Sequence, residues 1–310
     1  MTAQPLTWRE LPELARRTAR ADRRRYRSER RPLSARRLGR ELVPNLRRPL
    51  FVLGAPRSGT TFLGGCLSVL PEISYHHEPV ATKRAARYVY EGHWGARRAA
   101  FFYRSVYAWL MRLHLDGDLR FAEKTPQNCF IVPFLRRAFP DAQFLHIVRD
   151  GRDAAISYSK KPWLRADAAD SGQFEPGGYR HGPYARFWVE AERAPEFETT
   201  SDIHRCIWAW RGFTEAALAG ADGLPAEQYH ELRYEDLVRK PQGESERVLD
   251  FLGVGSHDVR AAFTDAMSRA HAESVERWRS ELSPDDTATV EREAGHLLRR
   301  LGYVGEGAGA

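Results

Sequence analysis

Short apolar runs separated by turn residues recur along the chain and predict the strands of a sheet. The two clearest runs are Leu50–Leu53 and Gln143–Val148. Runs of this length without polar alternation are typical of strands that are buried on both faces of a parallel sheet. Weaker runs at Glu72–Tyr75, Arg120–Ala122 and Glu231–Tyr234 predict three further strands.

Apolar residues at helical spacing fill the stretches between these strands. The pattern predicts a helix that opens at Thr60, and further helices at Ala81–Tyr90, Ala96–Leu115, Pro133–Ala138, Ser201–Ala219, Pro241–Leu252, Asp258–Met267 and Asp286–Leu301. Strands that alternate with helices indicate an α/β fold of three layers, with a central, mainly parallel sheet and helices on both faces.

One long segment, Lys160–Thr200, departs from this alternation. It combines glycine, proline and mixed charge with many aromatic residues. An irregular segment of this length is uncommon unless it is functional, which favours a loop or lid that binds an acceptor. A surface insertion packed on its own aromatic side chains is an equal alternative.

The loop at residues 54–59 joins the first strand to a helix and predicts an anion-binding site. Its backbone N–H groups and the positive end of the helix dipole point to one place. Hydroxyl donors are present at Ser58, Thr60 and Thr61. An ATP-binding P-loop would carry a Gly-Lys pair, whereas here Gly59 precedes Thr60 and the cation comes earlier, as Arg57. This P-loop-like sequence therefore indicates phosphate but argues against ATP, and a turn without a ligand is the alternative.

A second polar motif follows the strand Gln143–Val148. Arg149 lies at the carboxyl end of this strand, where open α/β sheets bind their ligands. Ser157 comes about two helical turns later, so that both side chains can reach one phosphate. Two phosphate sites at the ends of two strands suit a nucleotide that is phosphorylated at two separate positions.

With these two motifs the sequence resembles the sulfotransferases that use 3′-phosphoadenosine 5′-phosphosulfate (PAPS). In that family P-[KR]-S-G-T-T-[WFL] holds the 5′-phosphosulfate, and an Arg with a Ser eight positions later holds the 3′-phosphate. The segment PRSGTTF at 56–62 matches the first motif, Arg149 and Ser157 match the second, and the resemblance covers roughly residues 49–303. It implies that the following residues bind PAPS: Arg57, Ser58, Gly59, Thr60, Thr61, Phe62, Arg149, Ser157 and, near the adenine, Tyr234 of the YEDL segment.

The resemblance also implies the catalytic groups. Lys124, in a Lys-Thr-Pro segment, would lie beside the bridging oxygen with Arg57 as the second cation. The branch of the family that acts on phenols and steroids places its histidine base where this chain has Pro126. The Golgi-type branch instead uses a glutamate after the second strand, which matches Glu78. Pro79 predicts an extended backbone at Glu78.

Several alternatives stay open at this point. His76 and His77 compete with Glu78 as the base, because histidine is the commonest general base. The family closes a loop over the nucleotide near residues 274–282, where Arg277 and Trp278 are candidates. No cluster has the spacing of a metal site, and we expect no metal.

The composition predicts the cellular location of the protein and sets apart an unusual amino-terminal segment. The three cysteines lack a CxxC pair, and no apolar run reaches the length of a membrane span, which together predict a cytoplasmic protein. Residues 1–48 hold 15 Arg and five acidic residues, a net +10 in a chain of net +7, so residues 49–310 carry −3.

We therefore divide the chain into an Arg-rich arm at 1–48 and a catalytic domain at 49–310. The arm is predicted to be helical between Arg16 and Arg40, with Leu33 and Leu38 as its few apolar anchors. A solvated helix that packs weakly on the body is the preferred interpretation, and contact with nucleic acid, a membrane surface or an anionic acceptor is the other.

Together these patterns predict a sulfotransferase that moves the sulfuryl group of PAPS to a hydroxyl of a carbohydrate, phenol or other small molecule. No nucleic-acid partner is expected. The competing classes are an ATP-dependent phosphotransferase, disfavoured by the absence of the Gly-Lys pair, and a polyanion-binding protein without enzymatic activity.

Overall fold

A parallel sheet of five strands forms the centre of the computed structural model, which describes residues 3–26, 32 and 34–304. The strands are β1 Leu50–Leu53, β2 Ile73–His77, β3 Arg120–Lys124, β4 Gln143–Val148 and β5 Tyr229–Arg233. They lie in the order β2-β3-β1-β4-β5, and every neighbouring pair is parallel. The predicted β1 and β4 are confirmed to the residue, whereas β2 and β3 each end two residues later than predicted and β2 also begins one residue later.

The helices are α1 Leu11–Tyr26, α2 Ala35–Arg40, α3 Thr60–Leu67, α4 Val80–Tyr90, α5 Ala96–His114, α6 Val132–Ala138, α7 Gly151–Ser159, α8 Ala194–Thr199, α9 Asp202–Ala221, α10 Tyr234–Arg239, α11 Pro241–Leu252, α12 His257–Met267, α13 Trp278–Glu281 and α14 Pro284–Arg300. Short 3₁₀ turns lie at Trp8–Glu10, Pro126–Ile131, Ala166–Ser171, Ala191–Arg193 and Ala272–Ser274. The hydroxyls of Ser201 and Ser283 cap α9 and α14 by accepting backbone N–H bonds.

Each face of the sheet has its own apolar core, as the three-layer prediction requires. Along β1, Phe51 and Leu53 point to one cluster, while Leu50 and Val52 point to the other. The first cluster includes side chains of α1, α4, α5, α6, α7, α9 and α14, and the second includes those of α3, α10, α11 and α12. The predicted α/β class with helices on both faces is therefore confirmed.

Two other expectations differ from the structure. Tyr234 was expected to end a strand, but it is the first residue of α10, because β5 already ends at Arg233. The segment Lys160–Thr200 is less irregular than expected, since it contains two 3₁₀ turns and α8. Trp188 and Tyr179 of this segment are buried against the body of the protein.

The amino-terminal arm packs more tightly than the sequence suggested. Leu14, Ala15 and Ala19 of α1 belong to the first core, so the expectation of a weakly packed helix is wrong for this stretch. Leu38 is exposed and anchors nothing, and Leu33 lies outside the described residues. The division of the chain after residue 48 stays a prediction. No helix in the described part of the chain is long and apolar enough to cross a membrane.

Candidate active site

The carboxyl ends of the five strands bring the predicted residues to one edge of the sheet. Glu78 follows β2, Lys124 ends β3, the loop 54–59 follows β1, Arg149 follows β4, and Tyr234 follows β5. Val52 pairs with Lys124, and Lys124 pairs with His77, so these strand ends are in register. Neighbouring strands lie roughly 4.8 Å apart, which places the catalytic candidates beside the anion-binding loop.

The loop 54–59 has the conformation of an anion-binding turn. Arg57 and Gly59 both have positive φ, +70° and +92°, which turns the backbone towards the amino end of α3. A Cβ on Gly59 would lie 2.6 Å from Cδ2 of Tyr234, so this position needs glycine both for its φ and for close packing. The Ser58 hydroxyl is buried and has no hydrogen-bond partner among the described residues. A buried hydroxyl left in this way indicates a ligand that would satisfy it.

The two phosphate motifs meet through their arginines. Arg57 donates from Nε to Oγ of Ser157 at 3.0 Å, and Arg149 donates from Nη1 to the backbone oxygen of Arg57 at 3.0 Å. The Arg149 guanidinium also lies 4.9 Å from the ring centroid of Tyr234. The structure thus brings together residues from three distant parts of the sequence.

This pair of arginines is a concentrated positive charge. Burial and the neighbouring Arg149 cation lower the pKa of Arg57 from its ordinary value. Nε of Arg149 is buried and has no partner among the described residues. Two adjacent cations with an unused donor favour an anionic ligand here.

The remaining residues of the predicted motif start α3. Thr60 is buried and its methyl group lies close to Gly54, while Thr61 is half-buried in the same turn. Phe62 packs partly buried against the second apolar core. Contact of these residues with a nucleotide stays a prediction.

A carboxyl-terminal loop, residues 271–278, closes over this edge. Ser274 donates from Oγ to the Tyr234 hydroxyl at 3.0 Å, and its backbone oxygen accepts from Arg149. Asp153 accepts the backbone N–H groups of Glu276 and Trp278 at 2.7 and 2.9 Å. Asp153 was missed in the sequence, because its role depends on a loop more than a hundred residues away.

The two candidates in that loop have different surroundings. Trp278 stacks on Arg152, whose guanidinium carbon lies 3.6 Å from the centroid of the Trp278 ring. Arg277 forms an ion pair with Glu281 one helical turn later. The guanidinium of Arg277 is therefore already paired with a carboxylate of α13.

Glu78 lies between two lysines. Oε1 forms an ion pair with Nζ of Lys124, and Oε2 accepts from Nζ of Lys83 at 2.6 Å. Burial alone would raise the pKa of the Glu78 carboxyl, but the two ammonium groups overcome it and hold the pKa well below its ordinary value of 4.5. Burial lowers the pKa of Lys124, and Glu78 opposes that shift. The sequence did not single out Lys83.

The backbone at Glu78 differs from the prediction. Its φ is +45°, so the extended conformation expected from Pro79 is wrong. β2 ends one residue earlier, and Glu78 and Pro79 form the turn into α4. Proline disfavours the right-handed helical region for the residue before it, and this chain adopts a left-handed φ there instead. Unusual φ values in residues other than glycine concentrate at functional sites.

The two histidines have different surroundings. His76 is fully buried, with Nδ1 at 3.1 Å from Asp22 Oδ2 and Nε2 at 3.0 Å from Ser74 Oγ, which makes it a structural residue. His77 is half-buried, and its Nε2 is 4.0 Å from Oε1 of Glu78. Burial and the Lys124 charge lower the pKa of His77 to about 4.

Two groups of possible metal ligands come together in space although their sequence spacing did not indicate them. The first is Asp22, His76 and His114, and the second is Glu196, His204 and Glu293. Asp22 is paired with His76, and Glu293 accepts from Arg193, Arg211 and His204. Both groups join helices or strands through ion pairs, and the expectation of no metal stays a prediction.

Known proteins resemble this chain in sequence and in fold. A model of the sulfotransferase family matches residues 49–258. The omega-hydroxy-beta-dihydromenaquinone-9 sulfotransferase of Mycobacterium bovis is 22% identical over 209 residues, which cover 67% of this chain and 47% of that protein. Mouse carbohydrate sulfotransferase 7 is 32% identical over 146 residues, 41% of this chain and 29% of the mouse protein. A solved sulfotransferase of Mycobacterium avium has a TM-score of 0.50 and 14% identity, over 94% of this chain and 84% of that one.

The family match spans about two thirds of the chain and contains both phosphate motifs and the Glu78–Lys124 pair. The chain therefore belongs to the sulfotransferase family. It spans less than half the length of the mycobacterial and mouse relatives that it matches.

Proposed function

We propose that this chain transfers the sulfuryl group of PAPS to a hydroxyl group of a carbohydrate, phenol or other small molecule. One observation carries the proposal: the carboxyl ends of all five strands lie side by side at one edge of the sheet. Arg57 and Arg149 lie next to each other at the ends of β1 and β4, and the Glu78–Lys124 pair lies at the ends of β2 and β3. The first part suits the phosphates of the nucleotide, and the second suits the transfer step.

The nucleotide site has unused donors where the ligand needs them. The hydroxyl of Ser58 and Nε of Arg149 are buried without a partner among the described residues, so both fit phosphate oxygens. Arg57 and the amino end of α3 would hold the 5′-phosphosulfate, and Arg149 with Ser157 the 3′-phosphate. Tyr234 packs against Gly59 and Arg149 and would border the adenine.

The transfer step needs a cation for the departing phosphate and a base for the acceptor proton. The acceptor oxygen forms a bond to sulfur while the bond from sulfur to the bridging oxygen breaks. We assign Lys124, with Arg57, to stabilise the charge that develops on the bridging oxygen. We assign Glu78 to take the acceptor proton, because its carboxylate lies against Lys124 at the end of β2 and its depressed pKa keeps it ionised.

The names of the relatives favour hydroxyl acceptors, since one acts on an omega-hydroxy menaquinone and another on carbohydrate. The charge of Glu175 acts on Lys83, which supports the proposal that the segment Lys160–Thr200 borders the acceptor beside Glu78. The three free, buried cysteines support the predicted cytoplasmic location.

Ligand-induced stabilisation tests the nucleotide directly. The full chain is heated with adenosine 3′,5′-bisphosphate (PAP), with adenosine 5′-phosphosulfate, which lacks the 3′-phosphate, or with ATP and Mg²⁺. We expect PAP to stabilise most, by about 2.7 kcal/mol at a hundred times its Kd. Stabilisation by ATP and Mg²⁺ but not by PAP would contradict the proposal and indicate an ATP-dependent phosphotransferase.

A further inference from the structure

The turn that carries Glu78 is held from outside, by helix α1. Glu78 joins β2 to α4 with a φ of +45°, a conformation that its own sequence does not favour. The residue before α4 is Pro79, and it provides no side-chain cap for the helix. The Glu78 N–H donates to the backbone oxygen of Lys124, and the N–H groups on either side of it need partners elsewhere.

Thr18 and Asp22 supply those partners. They are four residues apart on α1 and therefore lie on one face of it. Asp22 accepts the backbone N–H of His77 through Oδ1 at 3.1 Å, and Thr18 accepts the backbone N–H of Val80 through Oγ1 at 3.2 Å. The two bonds bracket Glu78, one residue before it and two after it.

Both acceptors are themselves fixed. Thr18 is buried and donates its own hydroxyl proton to the backbone oxygen of Leu14 at 3.0 Å. Asp22 is fully buried, and its second oxygen is 3.1 Å from Nδ1 of His76. The opposite nitrogen of His76 lies 3.0 Å from Ser74 Oγ, so the Asp22 carboxylate is held in a defined orientation.

We propose that Thr18 and Asp22 are positioning residues for sulfuryl transfer, holding the backbone on both sides of Glu78 so that its carboxylate stays between Lys83 and Lys124. This inference rests on the proposed function of Glu78 as the base. It also gives the Arg-rich segment a role in turnover, because both residues lie in the arm that precedes the family match.

The alternative is that α1 only adds apolar packing through Leu14, Ala15 and Ala19. In that case loss of the two polar contacts would lower stability without a selective effect on turnover. If α1 positions the base, kcat falls while binding of the nucleotide, which uses other strand ends, is unchanged. A small displacement of a catalytic group is enough, since a shift of about 1 Å can cost roughly a hundredfold in rate.

Thr18→Val is the sharpest test, because it removes the hydroxyl and keeps the shape. Thr18→Ser keeps the hydroxyl and is the rescue variant. Ser245→Ala is the matched control, since Ser245 is a buried residue of α11 whose hydroxyl also donates to the backbone oxygen four residues earlier. Asp22→Asn, which keeps one acceptor, and Asp22→Ala, which keeps none, form a second series.

The readouts are release of labelled sulfate from ³⁵S-PAPS with water as acceptor, the KM for PAPS, and the Kd of PAP. We expect Thr18→Val to lower kcat at least about tenfold with KM and Kd unchanged, Thr18→Ser to stay near the unmodified chain, and Ser245→Ala to change neither. Asp22→Ala should lose more than Asp22→Asn. Unchanged kcat in Thr18→Val, or equal losses of kcat and PAP affinity, would overturn the proposal.

Hydrogen exchange separates this proposal from the proposed function itself. The amide of Val80 should exchange faster in Thr18→Val and that of His77 in Asp22→Ala, while those of the loop 54–59 should not change. If the unmodified chain does not turn over PAPS, the proposed function fails, yet faster exchange at residues 77–80 would still support positioning by α1. Unchanged exchange there would overturn it whatever the activity.

Discussion

Replacing Glu78 by glutamine tests the assignment of the base. Glutamine keeps the size of the side chain and one oxygen acceptor, but it cannot take a proton. In the unmodified chain each carboxylate oxygen of Glu78 contacts the ammonium group of one lysine. The amide nitrogen of the variant must therefore face either Lys83 or Lys124. The substitution therefore removes the basicity and both ion pairs, and it leaves only a hydrogen bond between the amide oxygen and one of the two lysines.

The expected loss follows from the role of a general base. Such a group typically contributes about 10²–10⁴ in rate, which corresponds to roughly 2.7–5.5 kcal/mol of activation free energy. Stability should fall as well, because Lys124 is fully buried and would lose its carboxylate partner. Removing one partner of a buried ion pair costs about 3–5 kcal/mol, and the partial exposure of Glu78 places the loss at or below the lower end.

The assay is single-turnover transfer from ³⁵S-PAPS, with the Kd of PAP and the unfolding temperature measured on the same samples. Glu293→Gln is the matched control, since Glu293 is a buried carboxylate that accepts from Arg193, Arg211 and His204, with its pKa held at about 2 against the effect of burial by those groups. The control should lose stability while keeping turnover.

Three results would refute this reasoning. Glu78→Gln could keep turnover within about tenfold of the unmodified chain, which is less than a general base contributes. Glu293→Gln could lose turnover as strongly, which would make the loss one of stability. His77→Asn could be inactive while Glu78→Gln is active, which would move the base to His77.

The remaining predictions concern the nucleotide and the pH dependence. Arg149→Ala should weaken PAP binding by about 1.5–3 kcal/mol and barely affect adenosine 5′-phosphosulfate, as calorimetry with both ligands would show; equal losses would remove Arg149 from the 3′-phosphate. Gly59→Ala should abolish PAP binding in the same titration, because a Cβ there meets the Tyr234 ring; normal binding would show that the loop adjusts. Because Lys124 and Lys83 depress the pKa of Glu78, which must be ionised to act, kcat/KM for PAPS should stay flat down to about pH 5. A loss of activity between about pH 7 and 6 would instead indicate a histidine base.

Residues that are close in sequence made the fold and the meeting of the two phosphate motifs predictable. β1, the loop 54–59 and the start of α3 form one continuous segment, so the strand, turn and helix signals reinforce one another. The same is true of β4, Arg149 and α7. The parallel sheet then places both motifs at one edge, since the carboxyl ends of parallel strands lie together.

Other parts of the site depend on contacts that sequence patterns do not show. Lys83 is an ordinary lysine of an amphipathic helix until the turn at Glu78 brings it to the carboxylate. Asp153 accepts from a loop 123 residues away, and Thr18 from a helix 62 residues away. The left-handed backbone at Glu78 is equally hidden, because the hydrogen bonds that hold this turn come from α1 and β3, which are distant in sequence.

Transfer of label is the most direct test of the central claim. The full chain is incubated with ³⁵S-PAPS and a panel of hydroxyl acceptors that includes sugars and phenols, and both PAP and the labelled product are quantified. The account predicts that label leaves PAPS in step with PAP formation and appears on a hydroxyl compound, and that Glu78→Gln slows this transfer. An unmodified chain that binds PAP but leaves ³⁵S-PAPS intact with every acceptor and with water would contradict it.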